Sequence, residues 1–75
     1  MKTVDELMNE AFHAGRVARS QEYKAGVRAL LELRINDAAI VHVHRIGTAA
    51  FDAFCSGMDE GNAIWMGELE AAQEG

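Results

Sequence analysis

Residues 48–69 read TAAFDAFCSGMDEGNAIWMGEL, and this segment has the clearest structural pattern in the chain. Phe51, Met58 and Trp65 recur at intervals of seven, which places them on one face of a helix. Thr48 is a favourable N-cap residue for that helix. The pattern predicts an amphipathic helix of about 24 residues. We expect its apolar stripe to form a core or a dimer seam, made by Phe51, Phe54, Met58, Trp65 and Leu69.

The N-terminal part of the chain also has a helical pattern. Thr3 followed by Glu6 fits a capping box, and small or apolar residues then recur at helical spacing. These features predict one nearly continuous helix over about 4–35. Because Ser20 is another favourable N-cap residue, a break at 19–21 is the alternative. An unbroken helix of this length spans roughly 48 Å, which is too long for a closed bundle of one small chain.

Residues 36–47 connect these two helical regions. Within them, residues 39–44 (AIVHVH) alternate and are rich in β-branched side chains, a pattern typical of a strand. No other segment reads as a strand, so this one has no ladder partner within its own chain. We expect it to be an extended connector or to pair with its copy in a second subunit.

Three tetrapeptides share the form aromatic-x-x-Gly. They are residues 12–15 (FHAG), 23–26 (YKAG) and 54–57 (FCSG). A large ring beside a residue without a side chain lets a neighbouring helix approach closely. We interpret these tetrapeptides as helix–helix contacts within a dimer; a ligand groove lined by the rings is the alternative.

Together these elements predict a single all-α domain over residues 1–75, in which two long helices form a helical hairpin. Its parts are helix 1 at about 4–35, a short extended connector at 36–47 and helix 2 at about 49–72. A chain of this length buries only about 60% of its unfolded surface, and small scaffolds usually need a disulfide, a metal or a partner chain. Cys55 is the one cysteine, which excludes an internal disulfide. We therefore expect an intertwined homodimer.

The composition excludes several classes of protein. No apolar run approaches the roughly 20 residues of a membrane span, and no signal peptide is visible. A single cysteine suits a reducing compartment, so we expect a cytoplasmic location without membrane contact. The net charge is −5, and it divides into +1 for residues 1–34 and −6 for residues 35–75. Direct nucleic-acid binding is not expected from this balance.

No residue pattern is typical of an enzyme. A phosphate-binding glycine loop and a nucleophile elbow are both missing from the sequence, and Cys55 lies on the apolar row of helix 2. His42 and His44 would point the same way on a strand, as two metal ligands can. Because no CxxC or HxxxH motif accompanies them, we predict no metal site, no cofactor and no catalytic residue. A small-ligand or metal-binding module is an alternative.

Residues 23 to about 65 resemble the ribosome modulation factor family of small bacterial and phage proteins. The resemblance depends on the YKAG tetrapeptide at 23–26, on a polar loop, and on Phe54-x-x-Gly57-Met58 before an acidic helix that contains a Trp. It implies a helix-loop-helix and association with the ribosome.

The size and charge balance are also similar to those of small phage inhibitors. We therefore predict a non-enzymatic protein that binds and modulates or inhibits a larger host macromolecular complex. Its most concrete form is a phage-encoded inhibitor of a bacterial defence or regulatory protein, and a ribosome-associated protein is the alternative. The partner is a host protein or ribonucleoprotein complex, which we expect to contact Arg16, Arg19, Tyr23, Arg28, His42, His44 and Arg45.

Overall fold

The computed structural model describes residues 2–74, which form three α-helices. These are α1 Val4–Ala11, α2 Gln21–Asn36 and α3 Ala49–Glu74. The all-helical prediction is confirmed, and the described residues contain no strand. The prediction of two long helices is wrong, because a loop at 12–20 divides the N-terminal region into α1 and α2.

A side-chain cap begins each of the three helices. The Thr3 hydroxyl accepts a hydrogen bond from the Glu6 N–H at 3.2 Å, and the Glu6 carboxylate accepts one from the Thr3 N–H at 3.0 Å, which completes a capping box. The Ser20 hydroxyl accepts from the Tyr23 N–H at 3.2 Å, and the Thr48 hydroxyl accepts from the N–H three residues later at 3.1 Å. Helix α2 therefore begins after Ser20, the position of the alternative break.

Helices α2 and α3 cross at their glycines. A Cβ atom built on Gly26 would lie 2.0 Å from the carbonyl oxygen of Phe54, and one built on Gly57 would lie 2.0 Å from the carbonyl oxygen of Tyr23. Each glycine therefore faces the aromatic residue that begins the other tetrapeptide. Sequence analysis predicts this close approach between two chains of a dimer, whereas the structure has it between α2 and α3 of one chain.

The core lies where α1 packs against the other two helices. Val4 and Leu7 of α1 cluster with Val27 and Leu31 of α2, and none of the four is more than 4% exposed. Trp65 of α3 packs against this cluster. Among the residues predicted for the seam, Phe54 is buried and the others are half-buried, namely Phe51, Met58, Trp65 and Leu69. The apolar stripe of α3 is thus partly covered within a single chain.

Candidate functional site

Three of the large apolar side chains that face solvent lie within six residues of one another in the sequence, in the connector between α2 and α3. Val41, Val43 and Ile46 are 71%, 75% and 85% exposed. Residues 41–46 are here called the connector surface. An exposed apolar patch bordered by polar groups is typical of a site where another protein binds.

The two histidines of the connector surface contact α3. The centre of the His42 ring lies 5.7 Å from that of Phe51 and 5.4 Å from that of Phe54, and the His44 ring lies 5.9 Å from Phe54. These are tilted and edge-to-face packing distances. The intervening Val43 faces solvent, and of the two histidines His42 is exposed and His44 is half-buried.

A second group of predicted contact residues surrounds Glu60 of α3. The Arg16 guanidinium donates hydrogen bonds to both carboxylate oxygens of Glu60 at 2.6 Å, and one to the Ala11 carbonyl at 2.7 Å. The Tyr23 hydroxyl donates to Glu60 Oε1 at 2.5 Å. We call Arg16, Tyr23 and Glu60 the Glu60 cluster. Since bidentate guanidinium–carboxylate pairs are strong and directional, this cluster attaches the loop at 12–20 to α3.

The hydrogen bonds of the Glu60 cluster shift the pKa values of its members. The bond from Arg16 lowers the pKa of Glu60, and the bond from Tyr23 acts in the same direction, while burial opposes both. Acceptance by Glu60 raises the pKa of the Tyr23 phenol, and burial raises it further. The same carboxylate raises the pKa of Arg16. At neutral pH the cluster is therefore a carboxylate held by a guanidinium and a neutral phenol.

Cationic side chains lie over aromatic rings beside the Glu60 cluster. The Arg19 guanidinium lies 4.7 Å from the centre of the Tyr23 ring, and Lys24 Nζ lies 5.6 Å from the centre of the Phe12 ring. The two rings meet edge to face at 6.4 Å. Phe12, Arg19 and Lys24 line an open pocket of about 210 Å³, which we call the basic–aromatic pocket. The cationic side chains that line this pocket favour an anionic ligand.

The structure separates the seven predicted contact residues into three groups. The first group is Arg16, Arg19 and Tyr23 at the Glu60 cluster and the basic–aromatic pocket. The second is Arg28, whose guanidinium pairs with exposed Asp5 at 2.9 Å, a kind of contact that contributes little to stability. The third is His42, His44 and Arg45 in the connector surface.

Sequence analysis did not identify Glu60 as a central residue. It is one of several acidic residues in the second half of the chain, and its partner Arg16 lies 44 positions away. One signal was available. Glu60 follows Gly57 by three residues and therefore lies on the same face of α3, the face that approaches Tyr23.

Other types of site were sought in the part of the chain that the structure describes. Within residues 2–74, no group of three or more His, Cys, Asp or Glu side chains is placed to hold a metal ion. Cys55 is a free, half-buried thiol. No helix in the same range is long and apolar enough to cross a membrane.

Comparisons of the chain with protein-family models, with curated proteins and with solved structures find no match. The resemblance to the ribosome modulation factor family accordingly stays a prediction. The connector surface and the basic–aromatic pocket are the two candidate sites of contact.

Proposed function

We propose that this is a small non-enzymatic protein that binds a larger protein or ribonucleoprotein complex and modulates or inhibits it. The connector surface is the observation that supports the proposal best, because it exposes three large apolar side chains within six residues. In a chain whose other large apolar residues are mostly covered, such exposure favours a partner-binding role. In its most concrete form the protein is a phage-encoded inhibitor of a bacterial defence or regulatory protein, a form supported by its size and charge balance.

The charge around the connector surface indicates what kind of partner it suits. Residues 38–51 contain no Asp or Glu, although residues 35–75 as a whole have a charge of −6. Arg45 is exposed within this acid-free segment. A partner surface with an apolar centre and carboxylates at its rim would complement it, because opposite charges at a rim steer encounter and select the partner.

Capture from a bacterial lysate tests the proposal, with the purified 75-residue chain as bait. We expect the wild type to retain one host protein stoichiometrically and Ile46→Asp to lose it. Val17→Asp is the matched control, since Val17 is 83% exposed and Ile46 is 85% exposed. Retention by Ile46→Asp together with loss by Val17→Asp would overturn the connector surface as the contact. Recovery of the bait alone by the wild type, across several lysates, would overturn the proposal.

Ribosome association is the second candidate, and the basic–aromatic pocket favours it. Neither Arg19 nor Lys24 forms a salt bridge among the described residues, and an RNA phosphate is a ligand that two such cations suit. This candidate predicts co-sedimentation with ribosomal particles that weakens steeply with salt. Arg19→Ala should then reduce it and Ile46→Asp should not. Absence of co-sedimentation at low salt would exclude it.

A further inference from the structure

We propose that residues 39–44 form a two-stranded antiparallel ribbon with the same residues of a second copy, so that the connector joins the protein into a homodimer. This inference goes beyond target binding, because the pairing needs no target.

The backbone of residues 39–44 has no hydrogen-bond partner in the described part of the chain. Backbone bonds outside the helices stop at Ala38, whose N–H donates to the Glu32 carbonyl, and resume at Thr48, whose N–H donates to the Arg45 carbonyl. The segment contains no proline, so every residue in it has a free N–H and a free C=O. A row of unpaired backbone N–H and C=O groups is a template for pairing with another strand.

The side chains of residues 39–44 do not block the backbone N–H and C=O groups that would pair with another strand. Side chains leave a strand roughly perpendicular to the direction of its hydrogen bonds. His42 and His44 contact Phe51 and Phe54 of α3, while Val43 is 75% exposed. The contact with α3 therefore uses one face of the segment. The contact with α3 would also support the ribbon on that face. Such support matters because an isolated two-stranded ribbon is only marginally stable in water.

The sequence of the segment is complementary to itself. In an antiparallel pair centred on Val41, each Val43 lies opposite Ala39 of the other copy, and each Arg45, just after the paired segment, comes near Asp37, just before the paired segment of the other copy. Apolar pairs then occupy the centre and ion pairs close both ends, an arrangement that favours one partner and one register. A pair centred on His42 would instead place two imidazoles opposite each other and leave both charges unpaired.

The position of Asp37 suits this role. Asp37 ends α2 in the left-handed conformation, with φ 58° and ψ 28°, and it is exposed. It lies just before residues 39–44, as Arg45 lies just after them. The ribbon would also bring the outward valines of both copies onto one face, because directly opposite residues point to the same side of a sheet. The dimer would then present about twice the exposed apolar area that the connector surface of one chain presents.

Light scattering and amide exchange on the purified 75-residue chain test the pairing. We expect twice the mass of one chain in the micromolar range. Alternate amides within residues 39–44 should exchange slowly at high concentration and quickly on dilution, because alternate N–H groups of a strand point to its partner. A monomeric mass, or uniformly fast exchange at all concentrations, would overturn the ribbon.

Cysteine substitution tests the register. In a Cys55→Ala background, Val41→Cys places two thiols opposite each other at the two-fold axis, within the Cα separation of about 4.4–6.8 Å that a disulfide needs. Val43→Cys is the control, because Val43 matches Val41 in exposure but lies opposite Ala39. Oxidation should cross-link Val41→Cys into covalent dimers much faster than Val43→Cys. Equal rates, or the reverse order, would overturn the register centred on Val41.

A charge substitution tests the ends of the ribbon. Arg45→Glu would bring two carboxylates together at each end, so the dimer should dissociate at roughly tenfold higher protein concentration than the wild type, and added salt should narrow that difference by screening the repulsion. Asp37→Asn tolerates the left-handed conformation, so adding it to Arg45→Glu should restore the dimer. A dimer unaffected by Arg45→Glu would overturn this end contact. A monomer that still captures its target overturns the ribbon alone, whereas a dimer that captures nothing overturns the proposed function alone.

Discussion

Glu60 holds two of the predicted contact residues, Arg16 and Tyr23, in hydrogen bonds within the chain. Its carboxylate accepts two hydrogen bonds from Arg16 and one from the Tyr23 hydroxyl. The Arg16 and Glu60 side chains are 24% and 21% exposed, so their bidentate pair is better shielded from water than the Arg28–Asp5 pair, whose side chains are 47% and 79% exposed. Arg16 and Tyr23 therefore hold the molecule together at positions where the sequence favours partner contact.

We expect Glu60→Gln to destabilise the protein at neutral pH and to have a smaller effect in acid. The pKa of Glu60 lies below its ordinary 4.5, because Arg16 and Tyr23 donate to the carboxylate. Its stabilising contribution is therefore complete above pH 4.5 and is lost as the pH falls through the lower folded-state pKa. Urea unfolding of both proteins at about pH 7 and about pH 3 measures the difference in free energy of unfolding at each pH.

The control for this experiment is Asp59→Asn, which changes an exposed neighbour on α3. We expect that variant to change the free energy of unfolding little at neutral pH. The pKa of Tyr23 is raised, so the stability that its phenol contributes has an upper pH limit. That contribution is complete below the ordinary tyrosine pKa of 10.0 and is lost as the pH rises through the folded-state pKa. A Glu60→Gln effect of the same size at both acid and neutral pH would contradict the role given to the carboxylate.

At the scale of elements, the features that depend on near neighbours could be predicted. The Thr3 capping box, the Thr48 cap and the long α3 helix each depend on residues a few positions apart. The loop at 12–20 could not be predicted in the same way. Its alanines continue the helical spacing, while the contact that holds it, between Arg16 and Glu60, joins residues 44 positions apart. Periodicity describes one face of an element and does not identify what that face meets.

The candidate site likewise contains features that neighbouring residues predict and features that depend on contacts distant in the sequence. The alternation within residues 39–44 predicts a strand or an extended connector, and the structure has neither helix nor strand there, with Val41 and Val43 facing solvent. Arg16 has the chemistry of a contact residue, and only its distant acidic partner shows that its charge is already paired.

The crossing of α2 and α3 predicts opposite effects for two glycines of α3. By helix propensity, Gly57→Ala and Gly67→Ala should each add about 1 kcal/mol of stability. A Cβ at Gly57 would lie 2.0 Å from the carbonyl oxygen of Tyr23, whereas nothing lies within 4 Å of one at Gly67. Because a backbone carbonyl cannot rotate away, Gly57→Ala must separate the helices, and overpacking typically costs about 1–3 kcal/mol or more.

We therefore expect Gly57→Ala to lower the free energy of unfolding and Gly67→Ala to raise it by up to about 1 kcal/mol. Urea titrations of the two variants and the wild type measure both effects. Since the two substitutions are chemically identical and lie on the same helix, Gly67→Ala is the control for propensity. Equal gains in stability from both variants would contradict the close crossing.

At the scale of the whole molecule, the two halves of opposite charge fold onto each other. Arg16 pairs with Glu60 at 2.6 Å, and Lys2 of the N-terminal segment lies 3.7 Å from Glu68 of α3. Both pairs join the basic N-terminal region to the acidic helix α3 of the same chain.

The small core makes the molecule one cooperative unit, and Leu7→Ala tests this. Leu7 is 3% exposed and belongs to the cluster against which Trp65 packs. Replacing a buried Leu by Ala costs about 2–5 kcal/mol, out of roughly 4–11 kcal/mol available to a domain of this size. We expect the unfolding midpoint of the whole chain to fall, with helical circular dichroism and Trp65 fluorescence changing together. Met66→Ala, at a side chain that is 49% exposed, should shift the midpoint far less. If the Leu7 variant instead lost only the helical signal of α1, while the Trp65 transition stayed at the wild-type midpoint, α1 would be an appendage to an α2–α3 hairpin that is stable without it.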